Sequence, residues 1–265
     1  MPLKNKIMFS NYHTHTYLCN HAVGDVEDYV KQAIEYGFKT LGMSDHAPFT
    51  FLNDRSVRMG IEDYPIYLQQ LEAAINKYGN QIKIYKGLEI EYFPDKIIHY
   101  QNFLKDMDYL VLGQHYVEAK NKLKSIYDIS EIQDMQIYVT TMIEAMKTGY
   151  FKFIAHPDIF LFNAIEISDE MIYLSRLLIE AAEKYNVTLE INANGIRRGK
   201  IPYIKKTRYC YPRKEFWELV KGTNVKVIIS SDAHEPKLLF DEAVIEAYKF
   251  ARDIGVEVEE ELVMD

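Results

Sequence analysis

Strand-like segments alternate with helix-like segments along this whole chain, and seven of its eight histidines fall where a strand-like segment ends or in the loop beyond. Strands are expected at 7–12, 39–43, 82–88, 109–113, 151–155, 187–191 and 226–230. Between them lie amphipathic stretches. In 26–36, Val26, Tyr29, Val30, Ala33 and Ile34 recur at helical spacing, with Asp25 as N-cap and Gly37 just past the end. Further helices are expected at 64–78, 213–221 and 239–252. Ser130 is expected to cap the helix striped by Ile132, Met135, Val139, Met142, Ile143 and Met146, and Ser168 the one after it. Such alternation gives a parallel sheet whose strand ends share one side. The chain has 265 residues and 48% hydrophobic content, which suits one α/β domain over 1–265, closed or nearly closed into a barrel.

Charge and cysteine content narrow the function. A net charge of −8 argues against a protein that grips nucleic acid through a broad basic face. It leaves room for a small anionic substrate, because bound metal ions invert the local field. Cys19 and Cys210 cannot build a disulfide framework, so a reducing, cytoplasmic setting is expected. Residues 1–10 lack the apolar core of a signal peptide, and no apolar run approaches the roughly 20 residues that span a bilayer.

The chemistry sits at the strand ends. His13 and His15 close the first strand as His-Thr-His, where positions i and i+2 face the same way. His21 follows in the loop. His46 follows the second strand, Glu89 the third, His115 the fourth and His156 the fifth, where Pro157 stops the ladder. Asp232 and His234 end the last strand, again at i and i+2. In a barrel these ends converge on one mouth. Imidazoles and carboxylates are the natural ligands of zinc, iron or manganese, and nine such groups exceed what one ion needs and suit three. His99 lies away from any strand end and is set aside.

His13-Thr-His15, His21, Asp45-His46, Glu89, His115, His156-Pro-Asp158 and Asp232-Ala-His234 together resemble the polymerase-and-histidinol-phosphatase (PHP) superfamily. Cys19-Asn-His21-Ala, Asp45-His46-Ala-Pro, Gly87-Leu-Glu89-Ile-Glu91 and Asn192-Ala-Asn194-Gly195 resemble its L-histidinol-phosphate phosphatase branch. The resemblance implies a distorted (β/α)7 barrel and three divalent metal ions (Zn, Fe or Mn). By position, His13, His15, Glu89 and Asp232 would hold one ion, with Glu89 bridging to a second held by His115 and His156. His21, His46 and His234 would hold the third. Asp45 and Asp158 would orient ligand imidazoles.

On that reading the activity is phosphomonoester hydrolysis, with L-histidinol phosphate as the metabolite cleaved. A hydroxide formed between two ions would attack phosphorus, with Glu89, Asp232 and His234 as candidate catalytic residues. Arg197, just past the sixth strand, is the leading candidate to grip phosphate, with Arg198 beside it. Arg58 is a further substrate-binding candidate and lies with Arg55 in the 47–63 loop, a candidate lid, and Glu91, Tyr116 and Glu118 are candidates to meet the cationic half of the substrate. Two alternatives stand beside this: another PHP hydrolase acting on a nucleotide, phosphotyrosine or nucleic acid, and a non-catalytic metal-binding protein. No membrane association is expected, and the oligomeric state stays open.

Overall fold

A computed structural model describes residues 8–52, 54–119, 122–203 and 206–264. Ile7 and the lysine-bearing start of the chain lie outside them. The first strand, β1, is Ser10–Asn11, followed by α1 (Val26–Glu35) and β2 (Thr40–Met43). The Asp25 side chain accepts from the Asp28 N–H at 3.0 Å, and the Asp28 side chain accepts from the Asp25 N–H at 3.1 Å. This reciprocal cap starts α1 where the sequence places it. Next come α2 (Tyr64–Tyr78), β3 (Lys83–Ile90), α3 (Ile97–Phe103) and β4 (Tyr109–Leu112). An antiparallel hairpin of β5 (Tyr116–Ala119) and β6 (Lys122–Ser125) precedes α4 (Ile132–Thr148), β7 (Phe151–Ile154), α5 (Asp169–Tyr185) and β8 (Thr188–Asn192). The chain continues through α6 (Ala193–Arg197), a second hairpin of β9 (Lys200–Tyr203) and β10 (Lys206–Tyr209), α7 (Lys214–Val220), β11 (Val227–Ser230) and α8 (Glu242–Ile254).

Seven strands form one parallel sheet in the order β1-β2-β3-β4-β7-β8-β11. Its two edges approach each other: a parallel bridge joins Thr14 to Ala233, and the His15 N–H donates to Ala233 O at 2.9 Å. The fold is thus a distorted, nearly closed (β/α)7 barrel. The period of two along each strand divides the apolar residues. Tyr109 and Val111 pack with Tyr12, Phe153, Ala155 and Ile228 in one small cluster, while Leu110 and Leu112 join the large core shared with the helices. Leu262 and Met264 pack against the small cluster. The buried residues of α8, among them Val244, Ala247 and Ala251, join the large core, so its apolar face packs inward.

Some expectations need correction. Ser130 caps nothing: α4 has Glu131 at its N-cap, with no side-chain bond. The last helix starts at Glu242 rather than at 239, because residues 236–240 form a separate 3-10 turn. Asp241 then caps α8, accepting from the Val244 N–H at 3.1 Å. The two hairpins and α3 are additions that periodicity does not predict. β5 and β6 are mostly half-exposed, so no buried face imprints an alternating pattern on them. Among the described residues, no helix is long and apolar enough to cross a membrane.

Candidate metal centre

Neighbouring parallel strands direct their C-terminal ends to one side, and the bridge from His46 to Glu89 shows how two of those ends align. The structure brings all nine ligand-type residues to that one end. Five overlapping groups of potential ligand atoms lie within 4.8 Å of one another among the described residues, and three of them, His13–His15–Asp232, Glu89–His115–His156 and His21–His46–His234, take in all nine residues. Glu89 lies between them: its Oε2 is 3.4 Å from His13 Nε2, 3.5 Å from His15 Nε2 and 3.1 Å from His46 Nδ1. Its Oε1 is 3.2 Å from His156 Nε2 and 3.7 Å from His115 Nε2. Asp232 Oδ1 lies 3.1 Å from His15 Nε2. Two atoms that each ligate one ion at about 2.1 Å, at angles near tetrahedral or octahedral, sit roughly 3.0–3.4 Å apart. The observed spacings suit that arrangement.

The hydrogen bonds behind the rings orient them. His13 Nδ1 donates to Glu190 Oε1 (2.8 Å), His115 Nδ1 to Glu91 Oε1 (3.0 Å), His21 Nδ1 to Cys19 O (3.0 Å) and His234 Nδ1 to Asp232 O (3.1 Å). A carboxylate or carbonyl can only accept, so each Nδ1 carries a proton, and in the neutral ring each Nε2 keeps a free lone pair. His21 Nε2 and His234 Nε2 face one another at 2.8 Å. In contrast, His13 Nε2, both ring nitrogens of His15, His156 Nδ1 and Asp232 Oδ1 are buried with no hydrogen-bond partner. Leaving a buried polar atom unpaired costs about 1–3 kcal/mol. Three of these atoms, His13 Nε2, His15 Nε2 and Asp232 Oδ1, meet beside Glu89 and fit a divalent cation, as does the donor set itself.

Charge supports the fit. Burial disfavours ionisation of Glu89 and Asp232, but the surrounding imidazoles, His13 foremost, outweigh it and hold both carboxyls well below their usual range. Burial pulls His15 down, yet Asp232, Asp45 and Glu89 lift it to about 9, and Glu190, Asp232 and Glu89 likewise raise His13 well above its usual value. His46 is pushed well below its usual value and His234 to about 3, burial being the main cause. The carboxylates around His13 and His15 thus favour positive charge at this point, as a divalent cation would supply.

Backbone choices serve the site. His156 (φ 35°) and Asp232 (φ 46°) hold left-handed conformations that non-glycine residues avoid. Gly113 is required by close approach, since a Cβ there would lie 2.1 Å from Glu89 Oε1.

The residues expected around the ligands sort differently. Asp45 is fully buried. It accepts from the His46 N–H at 2.8 Å and the Thr16 N–H at 3.0 Å, with Oδ1 3.6 Å from His15 Nδ1. Asp158 does not orient His156. Its Oδ2 accepts from the Arg213 N–H, its Oδ1 has no partner, and burial raises it to about 7. Arg197 does not face the mouth. It forms a two-pronged pair with Asp241 (2.8 and 3.1 Å) and donates to Ser231 O at 3.1 Å, tying α6 to α8. Arg58 is only 2% exposed and is held by Glu91 (2.7 Å), Asp54 (2.6 Å) and Ala47 O (2.9 Å). Glu91 stands behind His115, buried, rather than toward substrate. Of the Arg58 bonds only the one to Glu91 leaves the 47–63 loop, and it ties the loop to the residue just past β3. Tyr116 donates to Asp54 at 2.9 Å, and Tyr116 and Glu118 line a different cavity.

The cavity over the metal-ligand groups measures about 210 Å³ and is lined by His21, His46, Glu89, His115, Tyr127, His156, Asn194, Arg198, Asp232, His234 and Leu238. Arg198 is its one guanidinium, stacked 5.1 Å over the Tyr127 ring. Sequence reasoning missed Glu190 and Tyr127, and gave Asn192 and Asn194 no role beyond the motif that carries the resemblance. A glutamate inside the apolar run Leu189-Glu190-Ile191 was the available signal. Asn192 and Asn194 both donate to Asp232 Oδ2 at 3.2 Å, which leaves Oδ1 free. Cys19 Sγ, also unforeseen, comes within 4.8 Å of His15 and His234 ring nitrogens.

A family model described as PHP domain matches residues 11–194, more than half of the chain. The chain is 26% identical over 252 residues to the probable histidinol-phosphatase of Deinococcus radiodurans, covering 92% of each. It is 23% identical over 261 residues to the histidinol-phosphatase of Bacillus subtilis, covering 84% of this chain and 92% of that one. The histidinol phosphate phosphatase of Lactococcus lactis, solved with zinc, L-histidinol and phosphate, shares the fold with a TM-score of 0.71 at 16% identity, over 96% of both chains.

Proposed function

This chain belongs to the PHP domain family, and from that premise we propose that it is a metal-dependent phosphomonoesterase that hydrolyses L-histidinol phosphate to L-histidinol and phosphate. The observation that carries the reading is that His13 Nε2, His15 Nε2 and Asp232 Oδ1 are buried without partners beside Glu89, beneath a small cavity with one guanidinium. The substrate is supported by the names of the relatives, two of them histidinol-phosphatases matched over most of their length.

Three divalent ions fit the groups His13–His15–Asp232, Glu89–His115–His156 and His21–His46–His234, with Glu89 shared. Bound there, such ions supply Lewis acidity toward phosphoryl oxygens and lower the pKa of water. The protein's own residues do the rest. Glu190, Glu91 and the carbonyls of Cys19 and Asp232 hold imidazole protons on Nδ1, so the Nε2 lone pairs stay available. Asn192 and Asn194 turn Asp232 toward the centre. Arg198 receives the phosphate, its planar fork matched to two phosphoryl oxygens and its guanidinium set over the Tyr127 ring at 5.1 Å. At about 210 Å³ the cavity suits a small phosphomonoester. Residues 1–265 act in this reading as one barrel domain.

The test is steady-state hydrolysis of histidinol phosphate, AMP, a phosphotyrosine peptide and a nitrophenyl diester, with metal content measured on the same sample. Histidinol phosphate should turn over fastest, and chelation should abolish the rate. Equal rates across the panel would sink the substrate assignment, and active protein free of metal would sink the metal chemistry.

A further inference from the structure

Glu190 is a carboxylate with no exposure at all, in the middle of strand β8 between buried Leu189 and Ile191. A charge in such a place must be fully engaged. Its Oε1 accepts from His13 Nδ1 at 2.8 Å. Its Oε2 accepts from the His156 backbone N–H at 3.1 Å and from Asn192 Nδ2 at 2.7 Å. Asn192 Nδ2 in turn lies 3.2 Å from Asp232 Oδ2. One side chain thus reaches a ring that follows β1, the positive-φ residue that follows β7 and, through Asn192, the carboxylate that follows β11. We propose that Glu190 is a positioning residue that presets two of the three metal-ligand groups at once, while the His21–His46–His234 group does not depend on it. The inference rests on the three-ion reading above.

The chemistry makes a sharp variant available. Glutamine keeps the shape but offers one acceptor oxygen where glutamate offers two. Either orientation of Glu190→Gln therefore sets an NH2 against a donor, at His13 or at His156 and Asn192. Losing a partner that orients ligands typically costs 10–100-fold in metal affinity. At a fixed low concentration of free zinc, Glu190→Gln should keep one tightly held ion, and the added change His21→Ala should remove it. Glu91→Gln, which touches His115 alone among the ligands, should lower affinity for a single ion.

Metal content after equilibration in a zinc buffer is the readout, with thermal unfolding of the chelated proteins as the folding control. Unchanged zinc content in Glu190→Gln overturns the proposal. So does equal loss from all groups, which marks a merely structural role. If Glu190→Gln is insoluble, Asn192→Ala tests the same network: weaker binding of the Asp232-held ion supports it, and unchanged binding overturns it. Wild-type protein that retains no zinc overturns the metal centre itself, a different failure.

Discussion

Removing divalent ions should turn the stability of this protein into a falling function of pH between about 6.5 and 9. The reason lies in His15. Burial disfavours its charged form, but Asp232, Asp45 and Glu89 outweigh burial and raise its pKa to about 9. An unfolded histidine titrates near 6.5. Below about 6.5 both states carry the proton and the favourable interaction is fully present. Between about 6.5 and 9 the native state alone holds it, and the contribution drains away as pH rises through the native value. A shift of roughly 2.5 units, at about 1.36 kcal/mol each, amounts to about 3 kcal/mol. His13, raised well above its usual value mainly by Glu190 and Asp232 against burial, acts in the same direction. For a domain of this size 1 kcal/mol moves Tm by about 2–4 °C, so the chelated protein should lose roughly 6–12 °C. Circular-dichroism melts in chelator at steps from pH 6.5 to 9 measure this directly. The ion-loaded protein should vary far less, because ligation keeps the rings neutral at every pH in the window. Asp232→Asn, which removes the leading charge partner of His15, should flatten the chelated curve. A chelated Tm that stays level or rises across the window would refute the account of protons standing in for cations.

Other expectations rest on single contacts. Arg198→Ala should lower kcat/KM for histidinol phosphate by about 10–100-fold, as loss of a charge-assisted contact worth roughly 1.5–3 kcal/mol implies, without lowering Tm. Arg197→Ala should do the reverse, lowering Tm by loosening Asp241 from α6 while leaving KM near its original value. Gly113→Ala should displace Glu89, given the 2.1 Å clash, and reduce bound metal measured by elemental analysis together with activity. Glu89→Ala and Asp232→Asn should each abolish turnover, whereas His99→Ala, which removes a ring packed 5.7 Å from Phe51 and 6.0 Å from Phe49, should not.

The residues differ in how far their roles can be read before folding. Helix α1 is legible to its ends because its cap, its apolar stripe and its terminating glycine are all local signals. The ligand-type histidines are legible because they fall at a strand-like segment's end or in the loop beyond it, and strand ends in a parallel barrel must meet. Arg197 and Arg198 are not separable in this way. They are adjacent, equally charged and equally near the last turn of α6, and only the position of Asp241, 44 residues away, claims one and frees the other. Arg58 and Glu91 read as candidates for substrate contact, since nothing local shows that they neutralise one another in the interior. Glu190 escapes notice because a buried carboxylate between two apolar residues has no motif of its own.

The sequence by itself determined the alternation of strands and helices and the kinds of donor at each strand end, since both depend on neighbours in the chain. Tertiary structure decided which charges answer one another. Glu190 beneath His13, Arg58 beneath Glu91 and Asp241 against Arg197 are pairings between residues 33 to 177 positions apart. Their energy depends on distance in space and on exclusion of water, and neither quantity exists until the barrel closes.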